Sequence, residues 1–192
     1  MSQIFSFDGR MPRIHPGAYL HPSACVIGDV RIGEGCYVGP YATLRGDQGP
    51  IRLEPMSNVQ DNCVLHCSPG GTVVVSPFAQ VGHGAVLHGC TLLENCLVGI
   101  HATVLDHAVV GANSIVAAHA LVTQGKRLDD GALYAGSPAR FVRALSLSAI
   151  AALREAADHY ADMARVCATK LRPVERAACV PPTHARVAAE VG

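Results

Sequence analysis

A six-residue step in the placement of aliphatic side chains constrains this chain more than any other feature. Ile14, Leu20, Val26, Ile32, Val38 and Leu44 follow at that interval, as do Leu92, Val98, Val104, Val110, Val116 and Val122. Two shorter runs lie between them: Leu53, Val59, Leu65, then Val75, Val81, Leu87. The phase breaks fall between 44 and 53, 65 and 75, and 87 and 92. Four places after the aliphatic stands a small residue, such as Ala24, Cys36, Ala42, Cys63, Ala85, Cys96, Ala102 or Ala108, with Val30 as an exception. Gly often follows the aliphatic directly, as at Gly33, Gly39, Gly82, Gly99 and Gly111. β-Sandwich strands do not hold so strict a period over so many steps. The pattern describes one side of a narrow triangular coil, with aliphatic and small residues inward and their neighbours outward. The expectation is an all-β fold, a parallel β-helix, followed by one long α-helix.

That helix begins where the period changes. From Ser146 on, with Ser146 or Ser148 as the candidate N-cap, Leu147, Ile150, Leu153, Ala157, Tyr160 and Ala164 recur at three and four places, and Pro173 ends the run. The expected organisation is a coil over 1–145, a helix over 146–172 and a flexible tail over 173–192. Within the coil, the six-residue pattern stops near Val122; a loop over 124–131 and an extended exit over 133–140 are expected. The 192 residues suffice for one domain with a sizeable core. Lys plus Arg, 15 residues, balances Asp plus Glu, 15, which argues against a nucleic-acid surface. No segment is long and apolar enough to span a bilayer. The first ten residues lack the basic start and apolar stretch of a secretion signal, so a cytoplasmic protein is expected. Its eight cysteines then read as small packing residues, not as a disulfide framework.

Three sides make a coil of about eighteen residues, about 4.8 Å from its neighbours. If 45–52 and 67–74 are loops bulging from single sides, Leu44 stacks under Leu65 and Leu87. Arg45, His66 and His88 then point outward from one face. Val59 stacks under Val81, which puts Gln60 and His83 on a neighbouring face. His66 and His88 can share one metal ion; His83 can complete the site only from another subunit. A homo-oligomer with metal at its interface is the expectation. His15, His21, His159 and His184 read as surface or satisfied residues. His101 and His119 share a turn offset one coil apart, an adventitious pair at most.

Arg45-Gly46-Asp47, Ser57-Asn58-Val59-Gln60-Asp61-Asn62-Cys63-Val64-Leu65-His66 and Gly82-His83-Gly84-Ala85-Val86-Leu87-His88 resemble the γ-class carbonic anhydrases over about residues 10 to 145. The stretch from Gly136-Ser137-Pro138 through the helix is similar to the branch of that family that holds the phenylacetic acid degradation (PaaY) and carnitine-operon proteins. The resemblance implies a left-handed β-helix and a homotrimer. It implies zinc, or iron or cobalt, on His66 and His88 of one subunit and His83 of the next. It also matches Gln60 to a residue that orients metal-bound water and Asn58 to the one supporting it. Arg45 and Asp47 match a pair bridging the trimer interface, whose role is catalytic or only structural. Tyr134 matches a tyrosine near the metal in some members, or else packs at the coil's end.

The implied activity is metal-dependent hydrolysis of a CoA thioester in aromatic (phenylacetate) degradation, by metal-bound hydroxide. The alternative in the wider family is hydration of CO2 to bicarbonate. Two departures favour the thioester. Gln48 stands where the archetypal enzyme has Glu, and the short loop Cys67-Ser68-Pro69-Gly70-Gly71-Thr72 has no acid to carry protons away. Hexapeptide β-helices also serve as acyl-CoA acyltransferases, which use one loop histidine and no metal, and a non-catalytic scaffold would show neither activity.

Overall fold

The structure, a computed structural model, describes residues 3–175. It is a left-handed β-solenoid of about 7 turns with one C-terminal helix. Two long strands, Cys25–Ile32 and Thr43–Leu53, run round a corner and so belong to two faces. The first face continues with Val64–His66, Val86–His88, Thr103–Val104 and Leu121–Val122. The second holds Arg13–Ile14, Val73–Val75, Thr91–Leu92 and Val109–Val110. The third runs from Tyr19–Leu20 through Tyr37–Val38, Asn58–Val59, Gln80–Val81, Leu97–Val98 and Ile115–Val116 to Ala132–Ala135. Leu44, Leu65 and Leu87 stack in register, and so do Val59 and Val81.

From Ala24 onward the inward aliphatics and the small residues between them are buried and form one continuous core, with Ile14, Ala18 and Leu20 of the first coil partly buried against it. The glycines after the aliphatics have a steric cause. A Cβ on Gly99 would sit 2.6 Å from the amide nitrogen of Ala118, and one on Gly111 2.4 Å from the carbonyl oxygen of Asp129, both in the next coil. The left-handed corner positions are occupied mostly by other residues: Asn62, Asn95, Asn113, His101, His107 and His119 have φ between 55° and 60°, a region that Asn and His enter more readily than most. The seven described cysteines are free. Burial pushes the Cys63 thiol up to about 11 and that of Cys90 up to about 12, which suits inert packing residues.

Several boundaries differ from the sequence reading. Residues 45–52 are not a loop. They lie inside the strand Thr43–Leu53, where side chains alternate between core and surface apart from a bulge that sets Asp47, Gln48, Gly49 and Pro50 opposite Asp29 alone. The bulge shifts the six-residue phase and hides the strand. Residues 67–72 are a loop, and strand resumes at Val73. The coil does not stop at Val122. Leu128 is buried, Arg127 pairs with Val109, and Ala132–Ala135 adds another strand to the third face. The stretch 133–140 is not an extended exit but part of a hairpin whose turn is 136–139: Arg140–Ala144 returns antiparallel to Ala132–Ala135.

The helix spans Leu147–Lys170, and the Ser146 hydroxyl accepts from the Ala149 amide as its N-cap. Leu153, Ala157, Ala161 and Ala164 are buried against the third face, while Leu147 is exposed. The small alanines let the helix lie close to the tyrosines Tyr19 and Tyr37. Its backbone is tied down by Gln80, whose Nε2 donates to the Leu153 carbonyl at 2.9 Å. Most of the expected tail, beyond residue 175, lies outside the described residues.

Candidate metal centre

His66 and His88 end successive strands of the first face and stand in register, one coil apart. Both follow an inward leucine, so strand alternation turns them outward. Their rings are tilted by 55°, and His66 Nδ1 lies 3.2 Å from His88 Nε2. Each outer nitrogen meets a carboxylate. His88 Nδ1 donates to Asp106 Oδ2 at 2.7 Å, and His66 Nε2 donates to Asp47 Oδ1 at 3.2 Å.

An ionised carboxylate only accepts, so these bonds place the proton of each neutral ring on its outer nitrogen. Both facing nitrogens then present lone pairs to one another. The surroundings favour that state. Burial, then the charge of Arg45, lowers the pKa of His66. The hydrogen bond from His88 is the main cause holding the Asp106 carboxyl below the usual range. Burial opposes the charge of Asp47, but the hydrogen bond and charge of Arg45, 2.7 Å away, outweigh it and lower its pKa.

Two lone pairs facing across 3.2 Å repel unless a cation lies between them. Ligand nitrogens about 2.0–2.1 Å from a tetrahedral zinc are about 3.3 Å apart. The donor set therefore fits a borderline divalent ion such as zinc, iron or cobalt, with carboxylates behind the imidazoles as metal-binding histidines require.

His83 is not part of this pair within the chain. It lies at the corner after the third face, 44% exposed, with Nδ1 3.3 Å from Asp61 Oδ2. Among the described residues of one chain, no three His, Cys, Asp or Glu side chains converge as a metal site. Gln60 and Asn58 are buried on the third face, where Gln60 Nε2 donates to Asn58 Oδ1 at 3.1 Å. Asn58 Nδ2 is buried without a partner. Arg45 and Asp47 pair with each other inside one chain.

The structure does not bring Tyr134 to the histidines. Tyr134 takes the inward place above Val116, four coil steps from Val59, and its hydroxyl donates to Asp129 Oδ2 at 2.9 Å. It is buried at the coil's end with the Phe141 ring edge-on to it, centroids 5.9 Å apart. His101 and His119 are corner residues whose rings stack 5.3 Å apart.

Sequence reasoning missed Asp106 and Asp61, the carboxylates behind His88 and His83. A signal for Asp106 was present, since it stands 18 positions after His88, one regular coil.

Comparison with known proteins agrees with this architecture. The family described as bacterial transferase hexapeptide (six repeats) matches residues 11–46. A carnitine operon protein CaiE from Salmonella newport is 42% identical over 167 residues, covering 87% of this chain and 84% of that protein. A solved hexapeptide transferase family protein from Anaplasma phagocytophilum is 35% identical, with a TM-score of 0.82, over 85% of this chain and 97% of the other. A Bacillus cereus protein provisionally named an acetyltransferase is 29% identical, with a TM-score of 0.84, over 85% of this chain and 95% of its own. The chain therefore belongs to the γ-carbonic-anhydrase-like family of hexapeptide-repeat β-helix proteins, in the group of carnitine operon protein CaiE.

Proposed function

We propose that this protein is a metal-dependent enzyme that adds water to an activated carbonyl carbon, a CoA thioester in preference to CO2. The observation that carries the reading is the close approach of His66 Nδ1 and His88 Nε2, 3.2 Å apart, with a carboxylate behind each ring. A divalent cation held there supplies an acidified water and polarises a carbonyl oxygen. In this reading His83 of a neighbouring subunit is the third ligand, with Asp61 orienting it as Asp47 and Asp106 orient the others.

Gln60 positions the water. Its Nε2 is committed to Asn58, which leaves Oε1 to accept a hydrogen bond from the nucleophile without taking its proton away. Proton export separates the two substrates. Asp47, Asp61 and Asp106 are each engaged with an imidazole, and the loop at 67–72 carries no acid. Rapid CO2 hydration depends on such an acid, whereas a thioester supplies a thiolate leaving group that takes up a proton itself.

The test is metal analysis of anaerobically prepared protein with parallel assays on CO2 and aromatic CoA thioesters. Chelation and His88→Ala should each abolish hydrolysis. Full turnover after either treatment overturns the reading. Turnover that survives chelation and requires an acyl acceptor would identify a transferase instead.

A further inference from the structure

The second face carries a row of arginines that the metal site does not use. Arg13, Arg31 and Arg52 occupy the same outward position in three successive coils, in register. Neighbours at this spacing are about 4.8 Å apart along the sheet, and like charges directly opposite one another destabilise a strand pair. Only Arg52 is neutralised: Asp29 accepts from its Nη1 at 3.0 Å and from its Nη2 at 3.2 Å. Among the described residues, neither Arg13 nor Arg31 has a carboxylate within ion-pair distance. The three side chains line an open groove of about 660 Å³ floored by Ile14, Ile32 and Leu53, with Glu54 also among its lining residues. A second hollow, lined by Arg10, Arg13, Arg31 and Asp29, adjoins it. In a chain with no net charge, this is a local concentration of cations around one committed carboxylate.

We propose that Arg13 and Arg31, braced by Arg52, form a binding subsite for the phosphate groups of a ligand. Guanidinium forks match phosphate oxygens two at a time, and a dianion set between two stacked arginines removes the repulsion that the bare row carries. The row is long enough to meet more than one phosphate, which favours a nucleotide bearing several over a single free anion. Its place links it to the imidazole pair: Arg10, at the edge of the row, donates to the backbone carbonyl of Asp47, whose side chain holds His66. The phosphates of a CoA carrier bound here would lie round one corner from the imidazole pair. That last connection rests on the function proposed above; the subsite itself does not.

Binding is measured by calorimetry on the intact oligomer without added metal, using adenosine 3′,5′-bisphosphate and, separately, inorganic phosphate. The bisphosphate should bind with an affinity that falls as salt is raised. Arg13→Gln and Arg31→Gln should each weaken it about tenfold, the loss of a charge-assisted contact, while Arg143→Gln, on the distant hairpin, should leave it unchanged. Binding of inorganic phosphate alone, with the same arginine dependence, upholds the subsite and assigns it to a free anion. No binding of either compound, or equal binding by the parent and both arginine variants, overturns it. Because turnover is not read, a failed binding experiment and a failed hydrolysis assay point to different errors.

Discussion

Asp106 shows how one side chain decides what a histidine can do. By accepting from Nδ1 it leaves Nε2 of His88 as the only lone pair facing His66. Asp106→Ala should free the ring to rotate and change tautomer, lowering metal affinity about 10–100-fold. Competitive titration against a chromogenic chelator checks this, and unchanged affinity would remove Asp106 from the site. Asp29 makes a different, pH-dependent contribution. The hydrogen bond from Arg52 is the main cause holding its carboxyl below the usual range. A depressed native pKa means that the unfolded chain takes up the proton first as pH falls. The stabilisation is thus complete above the unfolded value of about 3.9 and lost as pH drops through the native one. Asp29→Asn should cost about 1 kcal/mol near pH 7 and less near pH 2.5. Denaturant melts at both values decide it; an equal loss at both would show that the ion pair is not the cause.

At the scale of the element, coil spacing is enforced by backbone contact as well as by the aliphatic column. Gly99 passes so close to the next coil that an added methyl meets backbone atoms of Val116, Ala117 and Ala118 at 2.6–2.8 Å. Nothing flexible can yield there. Gly99→Ala should therefore destabilise the protein by about 2 kcal/mol or more, the cost of overpacking, which a drop in melting temperature would register. A melting temperature within one degree or so of the parent would mean that the coils can slide apart cheaply. The helix is an element of another kind. It roofs the third face, with Leu153 and three alanines packed down and Gln80 tied to its backbone, so Asn58 beneath it is held at zero exposure.

At the scale of the whole molecule, a site divided between subunits has a signature that no single-chain site can imitate. A chain carrying His83→Ala keeps His66 and His88, and one carrying His88→Ala keeps His83. Each variant alone should be inactive and free of tightly bound metal. In a random cyclic mixture of the two, about a quarter of the interfaces join an intact pair to an intact His83. Co-expression should restore about that fraction of metal content. Co-expressed His66→Ala and His88→Ala should restore none, because both lesions fall on the same half. Failure of the first mixture to recover metal would exclude a site shared between chains.

Periodicity alone was enough to establish the coil, its inward residues and the outward direction of His66 and His88; the stacking of Leu44, Leu65 and Leu87 also needed the supposition that the phase breaks bulge from single sides. These are short-range consequences of strand alternation repeated every six residues, and each repeat reinforces the same register. The helix and a serine cap at 146 or 148 were legible for a similar reason, since both depend on residues within one or two turns. Tertiary contact decided the rest. Thr43–Leu53 stays strand through its bulge because Cys25–Ile32 runs beside it, and Ala132–Ala135 extends the coil because Ile115–Val116 offers it an edge. Tyr134 turned inward onto Asp129, away from the histidines. Asp106 and Asp61 reached their imidazoles from other coils. Side chains that meet across coils are set by the summed lengths of every loop between them, and a bulge or loop changes that sum without marking the residues it brings together.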